Sequence, residues 1–347
     1  MKMQKVRTPI LLFVAAIATL LPPLSCSKEE EPATYLMDGT VELQCPRYVA
    51  CGELLTLHTG GIQVPEDPDY LWYVSYMYTD SLKGSTVTLQ FPDTSKEFRI
   101  TVTAVHKGFY QSSTESKVTS IDTSAYGSFY GTLPGYGTIV DDRDGQRYSY
   151  VTIGNLDWFS QNLAYAGAGV PYEKSPVTHS IFGRLYSWEE ATGGEEGDDG
   201  LGEGPQGACP PGWKVPTNAD WEDFGRAVCE DGSLTFYDDW EGSAAKTSAN
   251  AFFLDEKMWP YNPDNEHTNE TGWNAVPVGY SQSGHASFEG FGSYAFWWSS
   301  SVRENGQAYY RYQHSDITGF PMSSTFKDGI GASVRCVRLS RTPKQSL

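Results

Sequence analysis

The chain has 347 residues, more than a single hydrophobic core usually organises, so two domains are expected. Its formal net charge of −18 at pH 7 opposes binding to nucleic-acid phosphates and to anionic lipid headgroups. Aromatic residues make up 14% of the chain and there are 35 glycines, a composition that predicts turn-rich β structure rather than long helices.

The first 25 residues (1–25) predict an export signal. Three basic residues precede an apolar run over 10–21, which is too short for a comfortable membrane span, and two prolines end it. The following Leu24-Ser25-Cys26 resembles the cleavage site of bacterial lipoproteins, which implies that Cys26 carries acyl chains such as palmitate. Pro23 stands where those sites usually have Leu, so an ordinary secretory peptide with an incidental cysteine is the alternative.

Residues 26–34 predict a solvated linker, because the acidic run over 27–31 offers no apolar side chain to fold around. The run is also similar to the signal that follows the lipidated cysteine in Bacteroidetes lipoproteins and directs them to the outer face of the outer membrane. Multiple acyl chains hold a protein stably on a bilayer. We therefore expect a lipid-anchored outer-membrane protein that faces the cell exterior.

A β-sandwich is predicted over residues 35–121. Apolar and polar residues alternate over 86–91 and again over 98–104, which is the pattern of half-buried strands. Turn-forming residues at 80–84 and 92–95 separate the strands. The module resembles the bacterial Ig-like or PKD-like domains of surface proteins, which implies that it serves as a spacer.

A second domain is predicted over 136–340, between a linker at 122–135 and a tail at 341–347. It begins with a hairpin whose turn is Asp144-Gly145, since Gly tolerates the positive φ that such turns need. The acids of this turn lack the twelve-residue spacing of a calcium loop.

Two helices are predicted in the second domain. Apolar residues recur at helical spacing over 182–191 and stop at Gly193. The second helix opens with a Thr217-x-x-Asp220 cap, and its apolar residues share one face. The remainder, 240–338, is aromatic and Gly-rich, which predicts irregular loops over a short, twisted sheet.

Six segments in a fixed order then carry a family resemblance: 136–150, 153–163, 182–188, 209–221, 298–300 and 334–337. They resemble the Fibrobacter succinogenes major paralogous domain. The resemblance implies a C-type-lectin-like α+β fold in exported lipoproteins, with no general catalytic activity. The chain is thus predicted to be mainly β, with an N-terminal sandwich followed by an α+β domain of two helices and long irregular loops. Trp273-Asn274 is followed by Ala275, where a lectin's Trp-Asn-Asp would supply a carboxylate, so calcium-dependent sugar binding is not expected there.

Besides Cys26 the chain has five cysteines, and in an exported protein they should pair where geometry allows. Cys209 and Cys336, each beside apolar residues, are predicted to form a disulfide that closes the second domain. Cys45 is predicted to pair with Cys51, with two buried thiols as the alternative. Cys229 stays unpaired in this scheme, but it is also an alternative partner for Cys209.

Signals for catalysis and metal binding are weak. The six histidines lack the i, i+4 spacing that places two of them around zinc. The stretch 279–284 is near a Gly-x-Ser-x-Gly motif but lacks its second glycine in register. Carboxylates are abundant, but a glycosidase needs a defined pair of them. We expect no enzyme activity, no cofactor and no metal.

The leading hypothesis is a surface binding or adhesion module for a glycan or a partner protein, because Tyr and Trp can stack on sugar faces with little loss of entropy. The alternatives are a structural or tip subunit of a surface assembly such as a pilus and, less favoured, a carbohydrate-active hydrolase. The candidate contacts in the loop-rich stretch are Trp259, Tyr261, Asn265, Trp273, Tyr294 and Tyr309.

Overall fold

A computed structural model describes residues 34–77, 81–122, 137–175, 177–282 and 284–341. The described residues are mainly β with a few helices, as the sequence predicts. They form two compact units. Unit 1 holds the described residues up to Cys45 with Gly52–Pro92 and Lys96–Thr119, and unit 2 holds Pro46–Cys51, Asp93–Ser95 and the described residues from Ser120. The predicted export signal, Cys26 and nearly all of the predicted linkers and tail lie outside the described residues.

All of the first eight strands except β2 lie wholly or mainly in unit 1, and the pairs β1–β3, β3–β6, β4–β5 and β4–β7 are antiparallel. One sheet has the order β1-β3-β6, and in another β8, β7, β4 and β5 are neighbours in that order. Alternate residues of β6 and β7 are buried, which confirms the alternation predicted over 86–91 and 98–104. The strands are β1 Asp38–Leu43, β2 Tyr48–Ala50, β3 Leu54–Gln63, β4 Asp69–Val74, β5 Leu82–Lys83, β6 Thr86–Gln90, β7 Lys96–Val105 and β8 Ser112–Ile121.

Unit 2 combines short sheets with short helices. Its sheets have the orders β20-β11-β10-β9, β16-β17-β18, β15-β14-β19 and β12-β13. The strands are β9 Gly137–Val140, β10 Arg147–Ile153, β11 Leu156–Phe159, β12 Phe252–Phe253, β13 Glu256–Lys257, β14 Tyr280–Gln282, β15 Ser287–Glu289, β16 Tyr294–Val302, β17 Ala308–His314, β18 Met322–Thr325, β19 Ile330–Gly331 and β20 Val337–Leu339. The helices are α1 His179–Phe182, α2 Trp188–Thr192, α3 Asn218–Cys229 and α4 Ser243–Thr247.

The last strand of unit 2 returns to its first sheet. β20 pairs with β11, where Trp158 lies opposite Val337. The predicted disulfide between Cys209 and Cys336 is confirmed, with Cα atoms 5.8 Å apart and a sequence separation of 127. Closing a loop of this length stabilises the fold by about 5 kcal/mol in the chain-entropy model. The disulfide and the strand pairing therefore close unit 2 at the same place.

Cys45 and Cys51 do not form the predicted disulfide. Cys45 belongs to unit 1 and Cys51 to unit 2, so their closeness in sequence does not make them part of one compact unit. Burial raises the pKa of the Cys45 thiol to about 11, although a hydrogen bond with Ser116 acts in the opposite direction. Cys229, at the end of α3, is also a thiol and not the partner of Cys209.

The helix predicted from Thr217 is confirmed as α3. The Thr217 hydroxyl accepts a hydrogen bond from the backbone N–H of Asp220 at 3.2 Å, and the Asp220 carboxylate accepts one from the N–H of Thr217 at 2.8 Å. This reciprocal capping satisfies two N–H groups that a helix start leaves without partners. Trp221, Phe224 and Val228 are buried on one face of the helix.

The single helix predicted over 182–191 is wrong: the region forms α1 and α2 with a break between them. Gly183 interrupts it at φ +75°, and a Cβ there would lie 2.5 Å from the Cβ of Asn162. Leu185 and Tyr186 instead make β-bridges to other segments. Both residues are fully buried although they are neighbours, so the apolar spacing in this segment comes from burial on two faces and not from one face of a helix. Within the described ranges, no helix is long and apolar enough to cross a membrane.

Aromatic rings fill much of the unit 2 interior, and Arg335 is one of two arginines buried among them, with Arg311 the other. Arg335 is fully buried, and its guanidinium lies 4.4 Å from the ring centre of Trp273. A buried charge is tolerated only when its donors are satisfied. The guanidinium donates to the Asn162 side-chain oxygen and to the carbonyls of Phe159, Trp273 and Asn274.

Candidate functional site

Most of the aromatic residues predicted to contact a ligand are part of the core. Trp259 and Trp273 are buried, and the Trp259 indole donates a hydrogen bond to the Ala275 carbonyl at 2.8 Å. Asn265 is also buried, and its amide donates to the Ile317 carbonyl at 3.2 Å. These three side chains lie in the core and present almost no surface to a ligand. Aromatic residues in a loop-rich stretch serve core packing as readily as binding.

The other three predicted contacts differ among themselves. Tyr261 is 83% exposed. Tyr294 is half-buried, with its ring centre 4.0 Å from that of His314. Tyr309 is mostly buried within β17, but it forms part of the wall of a surface cleft. Of the six predicted contacts, only Tyr309 lies in this cleft.

The cleft has a volume of about 430 Å³. Its walls are Asp199, Asn218, Tyr237, Tyr309 and residues 301–305. Four stretches of unit 2 therefore meet here: an acidic loop over residues 195–200, the first residue of α3, the loop that carries Tyr237, and the β16–β17 hairpin. Pockets for small molecules span roughly 300–1,000 Å³, so the volume suits a small ligand.

The β16–β17 turn holds one wall in place. The backbone N–H of Arg303 donates to the Gln307 carbonyl at 2.8 Å, and the N–H of Gly306 donates to the Arg303 carbonyl at 2.8 Å. Gly306 has φ +79°, a conformation that glycine adopts without strain. The Asn305 side-chain oxygen accepts a hydrogen bond from the Gln307 N–H at 3.1 Å. This tight turn leaves the side chains of Arg303, Glu304 and Asn305 exposed.

Serines at the end of β16 hold the opposite wall. The Ser301 hydroxyl accepts a hydrogen bond from the Asn218 backbone N–H at 3.0 Å. The Ser299 hydroxyl donates to the Asn218 side-chain oxygen at 2.7 Å. The Ser300 carbonyl accepts from the N–H of Gly197 in the acidic loop at 3.1 Å. The serines of the Trp-Trp-Ser-Ser-Ser segment thus position the start of α3 and the acidic loop.

Two tyrosines meet at the cleft. The hydroxyl oxygens of Tyr237 and Tyr309 lie 3.4 Å apart, and their rings are nearly perpendicular at 76°. Burial, together with the hydrogen bond to Tyr237, raises the pKa of Tyr309 to about 12, so the hydroxyl is protonated at neutral pH. Tyr237 is 65% exposed. The cleft therefore offers an accessible aromatic ring whose hydroxyl is held by a more buried neighbour.

Three charged side chains of the cleft are exposed: Asp199, Arg303 and Glu304. Among the residues that the structure describes, no ion pair involves any of them. Their charges are thus open to a ligand. Our sequence interpretation missed these residues, and the signal that was available is the polar turn over 303–307 between two aromatic strands.

A hydrogen-bonded chain of Ser281, His285 and Glu190 resembles a catalytic triad in connectivity. The Ser281 hydroxyl lies 2.7 Å from His285 Nδ1, and His285 Nε2 lies 2.9 Å from the Glu190 carboxylate. Its burial runs opposite to that of a hydrolase: Ser281 is fully buried, while the Glu190 side chain is 37% exposed. A serine nucleophile must reach its substrate. These hydrogen bonds between Ser281, His285 and Glu190 therefore serve to join α2 to β14.

The Asn274 side chain of the Trp273-Asn274 pair is held by hydrogen bonds to nearby residues. The Asn274 side-chain oxygen accepts a hydrogen bond from the Asn269 amide at 2.6 Å, and the Asn274 amide donates to the Gly272 carbonyl at 3.0 Å. The side chain is therefore engaged within its own loop. In the part of the chain that the structure describes, no group of three or more His, Cys, Asp or Glu residues is placed to hold a metal ion.

The family model described as the Fibrobacter succinogenes major domain matches residues 151–338, which is more than half of the chain. The matched range contains the whole wall of the cleft and both cysteines of the disulfide. No curated protein matches the chain.

Proposed function

The chain belongs to the Fibrobacter succinogenes major domain family, and from this premise we propose that it is a non-catalytic binding module whose ligand site is the cleft at Tyr237. One observation carries the proposal. The exposed ring of Tyr237 shares the cleft wall with the charged groups of Asp199, Arg303 and Glu304, and none of these three forms an ion pair within the described residues. Ring and polar groups together supply both kinds of contact that a small polar ligand needs.

A glycan fits these contacts best. A sugar ring has an apolar face that packs on an aromatic side chain, and tyrosine loses little conformational entropy when it is covered. The hydroxyl groups of a sugar both donate and accept hydrogen bonds. The carboxylates of Asp199 and Glu304 can accept from them, and the Arg303 guanidinium can donate to them.

The binding experiment compares two exposed tyrosines. Tyr237→Ala should weaken glycan binding by about 1–2 kcal/mol, the loss expected when a stacked aromatic leaves an interface hot spot. Tyr261→Ala is the matched control, since Tyr261 is exposed and is not part of the cleft wall. A glycan array identifies the ligand, and calorimetry on its best hit gives the affinities. Equal loss in both variants, or loss in Tyr261→Ala alone, would refute the cleft as the site.

We also propose that the protein is anchored by lipid at Cys26 and faces the cell exterior. The export signal, the lipoprotein-like cleavage site and the acidic run after Cys26 support this location. Cys26→Ala should move the protein from the membrane fraction to a soluble exported fraction. Impermeant biotin should label the wild type in intact cells. Labelling that requires a broken outer membrane would place the protein in the periplasm.

A further inference from the structure

We propose that the cleft selects a saccharide that carries protonated amino groups, of the glucosamine type, over neutral or acidic saccharides. This inference rests on the proposed function of the cleft as a glycan site. It begins with the charges of the cleft wall, which contains two carboxylates and one guanidinium. Asp199 and Glu304 come from two separate loops that both line the cleft, so its negative charge does not belong to one loop alone.

The one guanidinium of the cleft wall, that of Arg303, also contacts a residue outside the wall. Arg303 Nη1 donates to the hydroxyl of Ser324 on β18 at 3.4 Å, which draws the group toward the outer strand of the sheet. Neither carboxylate has a counterpart to this contact among the described ion pairs and hydrogen bonds. The two carboxylates therefore have fewer contacts within the described protein than the guanidinium has.

The start of α3 does not turn the cleft into an anion site. A helix N-terminus attracts anions through its N–H groups. Here the N–H of Asn218 already donates to Ser301, and the buried carboxylate of Asp220 lies in the first turn. The positive end of the helix is therefore compensated within the protein.

The residues around the cleft add further negative charge. The acidic loop carries Glu195, Glu196 and Asp198 beside Asp199, and only Glu196 among these is paired, with Lys327 at 3.0 Å, in the described chain. The exposed ring of Tyr237 adds a face that attracts cations. A protonated amine on a sugar ring would meet this face and a carboxylate together.

The test compares three soluble oligosaccharides of equal length by calorimetry at low salt: glucosamine oligomers, their fully N-acetylated counterparts and glucuronic acid oligomers. We expect the glucosamine oligomer to bind at least about tenfold more tightly than the acetylated one, and the acidic oligomer not to bind. The preference should shrink at high salt, because exposed charges are screened. Equal or tighter binding of the acetylated or the acidic oligomer would overturn the inference.

Variants separate this inference from the proposed function. Asp199→Asn with Glu304→Gln should abolish the preference for the glucosamine oligomer while binding of the acetylated oligomer remains. Asp264→Asn with Glu266→Gln is the control, because it changes the net charge equally at exposed positions outside the cleft wall. If Tyr237→Ala weakens binding of the acetylated oligomer but no preference for the amine exists, the glycan site stands and the selectivity is wrong. An equal effect of the control pair would assign the preference to overall charge and overturn its origin in the cleft.

Discussion

Two aromatic regions of unit 2 show how one residue class takes opposite roles. Trp273 is fully buried, with its ring centre 4.8 Å from that of Trp297, and its carbonyl accepts a hydrogen bond from Arg335. Tyr237 is 65% exposed and shares the cleft wall with Asp199 and Glu304. The first region directs its polar groups inward, whereas the second leaves them to solvent. Accessibility of ring and polar partners together distinguishes a ligand site from a core.

The largest effect should come from the buried region. Trp273→Ala removes a large side chain from the aromatic cluster and should lower the free energy of unfolding by about 3–5 kcal/mol. Urea denaturation followed by tryptophan fluorescence measures the change. Trp273→Phe is the milder comparison, because it keeps a ring over Arg335. A loss below about 1 kcal/mol in the alanine variant would contradict the packing role.

A smaller effect is expected at the start of α3, which joins the two regions. Burial raises the pKa of Asp220 to about 6, although N–H donors of Thr217 and Gly202 act in the opposite direction. In the unfolded chain an Asp titrates at about 3.9. A pKa raised by folding stabilises the fold when the group is protonated, so this contribution is complete below about pH 3.9 and is lost as pH rises through about 6.

Asp220→Asn tests this contribution. The wild type should lose about 2–3 kcal/mol of unfolding free energy from this group between about pH 4 and pH 6, and the variant should lack that part of the dependence. Urea denaturation at a series of pH values measures the slope, which separates the titration from the constant cost of a changed cap. Identical slopes in the two proteins would show that the buried carboxyl does not titrate in this range.

The smallest effect on stability should come from the cleft. Tyr237→Ala removes an exposed ring and should change the free energy of unfolding by about 0.5 kcal/mol, in contrast to its larger effect on binding. The same denaturation experiment measures it. A loss comparable to that of Trp273→Ala would remove the distinction between the two regions and make any binding defect uninformative.

The features predicted from sequence are those with a local cause. The cap of α3 depends on Thr217 and Asp220, which lie three residues apart, and the alternation in β6 and β7 depends on neighbouring side chains. The disulfide between Cys209 and Cys336 was also predicted, although it spans a long loop. It was indicated by the apolar residues beside each cysteine.

The failures have a common physical reason. The spacing over 182–191 is helical, but Gly183 lets the chain leave the helix and form bridges with distant segments. Trp259 and Trp273 are buried by segments that are remote in sequence. Periodicity indicates that a segment has an apolar face, but it does not indicate which distant element covers that face.

The sequence by itself determined the mainly β class, the family and the capped helix, because each follows from residues in short, ordered segments. It favoured the closing disulfide but left Cys229 as an alternative partner of Cys209. Only the tertiary structure decided which aromatic rings face solvent and which charges share a cleft. Asp199, Asn218, Tyr237 and Glu304 lie on separate stretches of the chain, and the serines of β16 and the β16–β17 turn bring them together. Their proximity is a property of packing between distant segments, which no local pattern encodes.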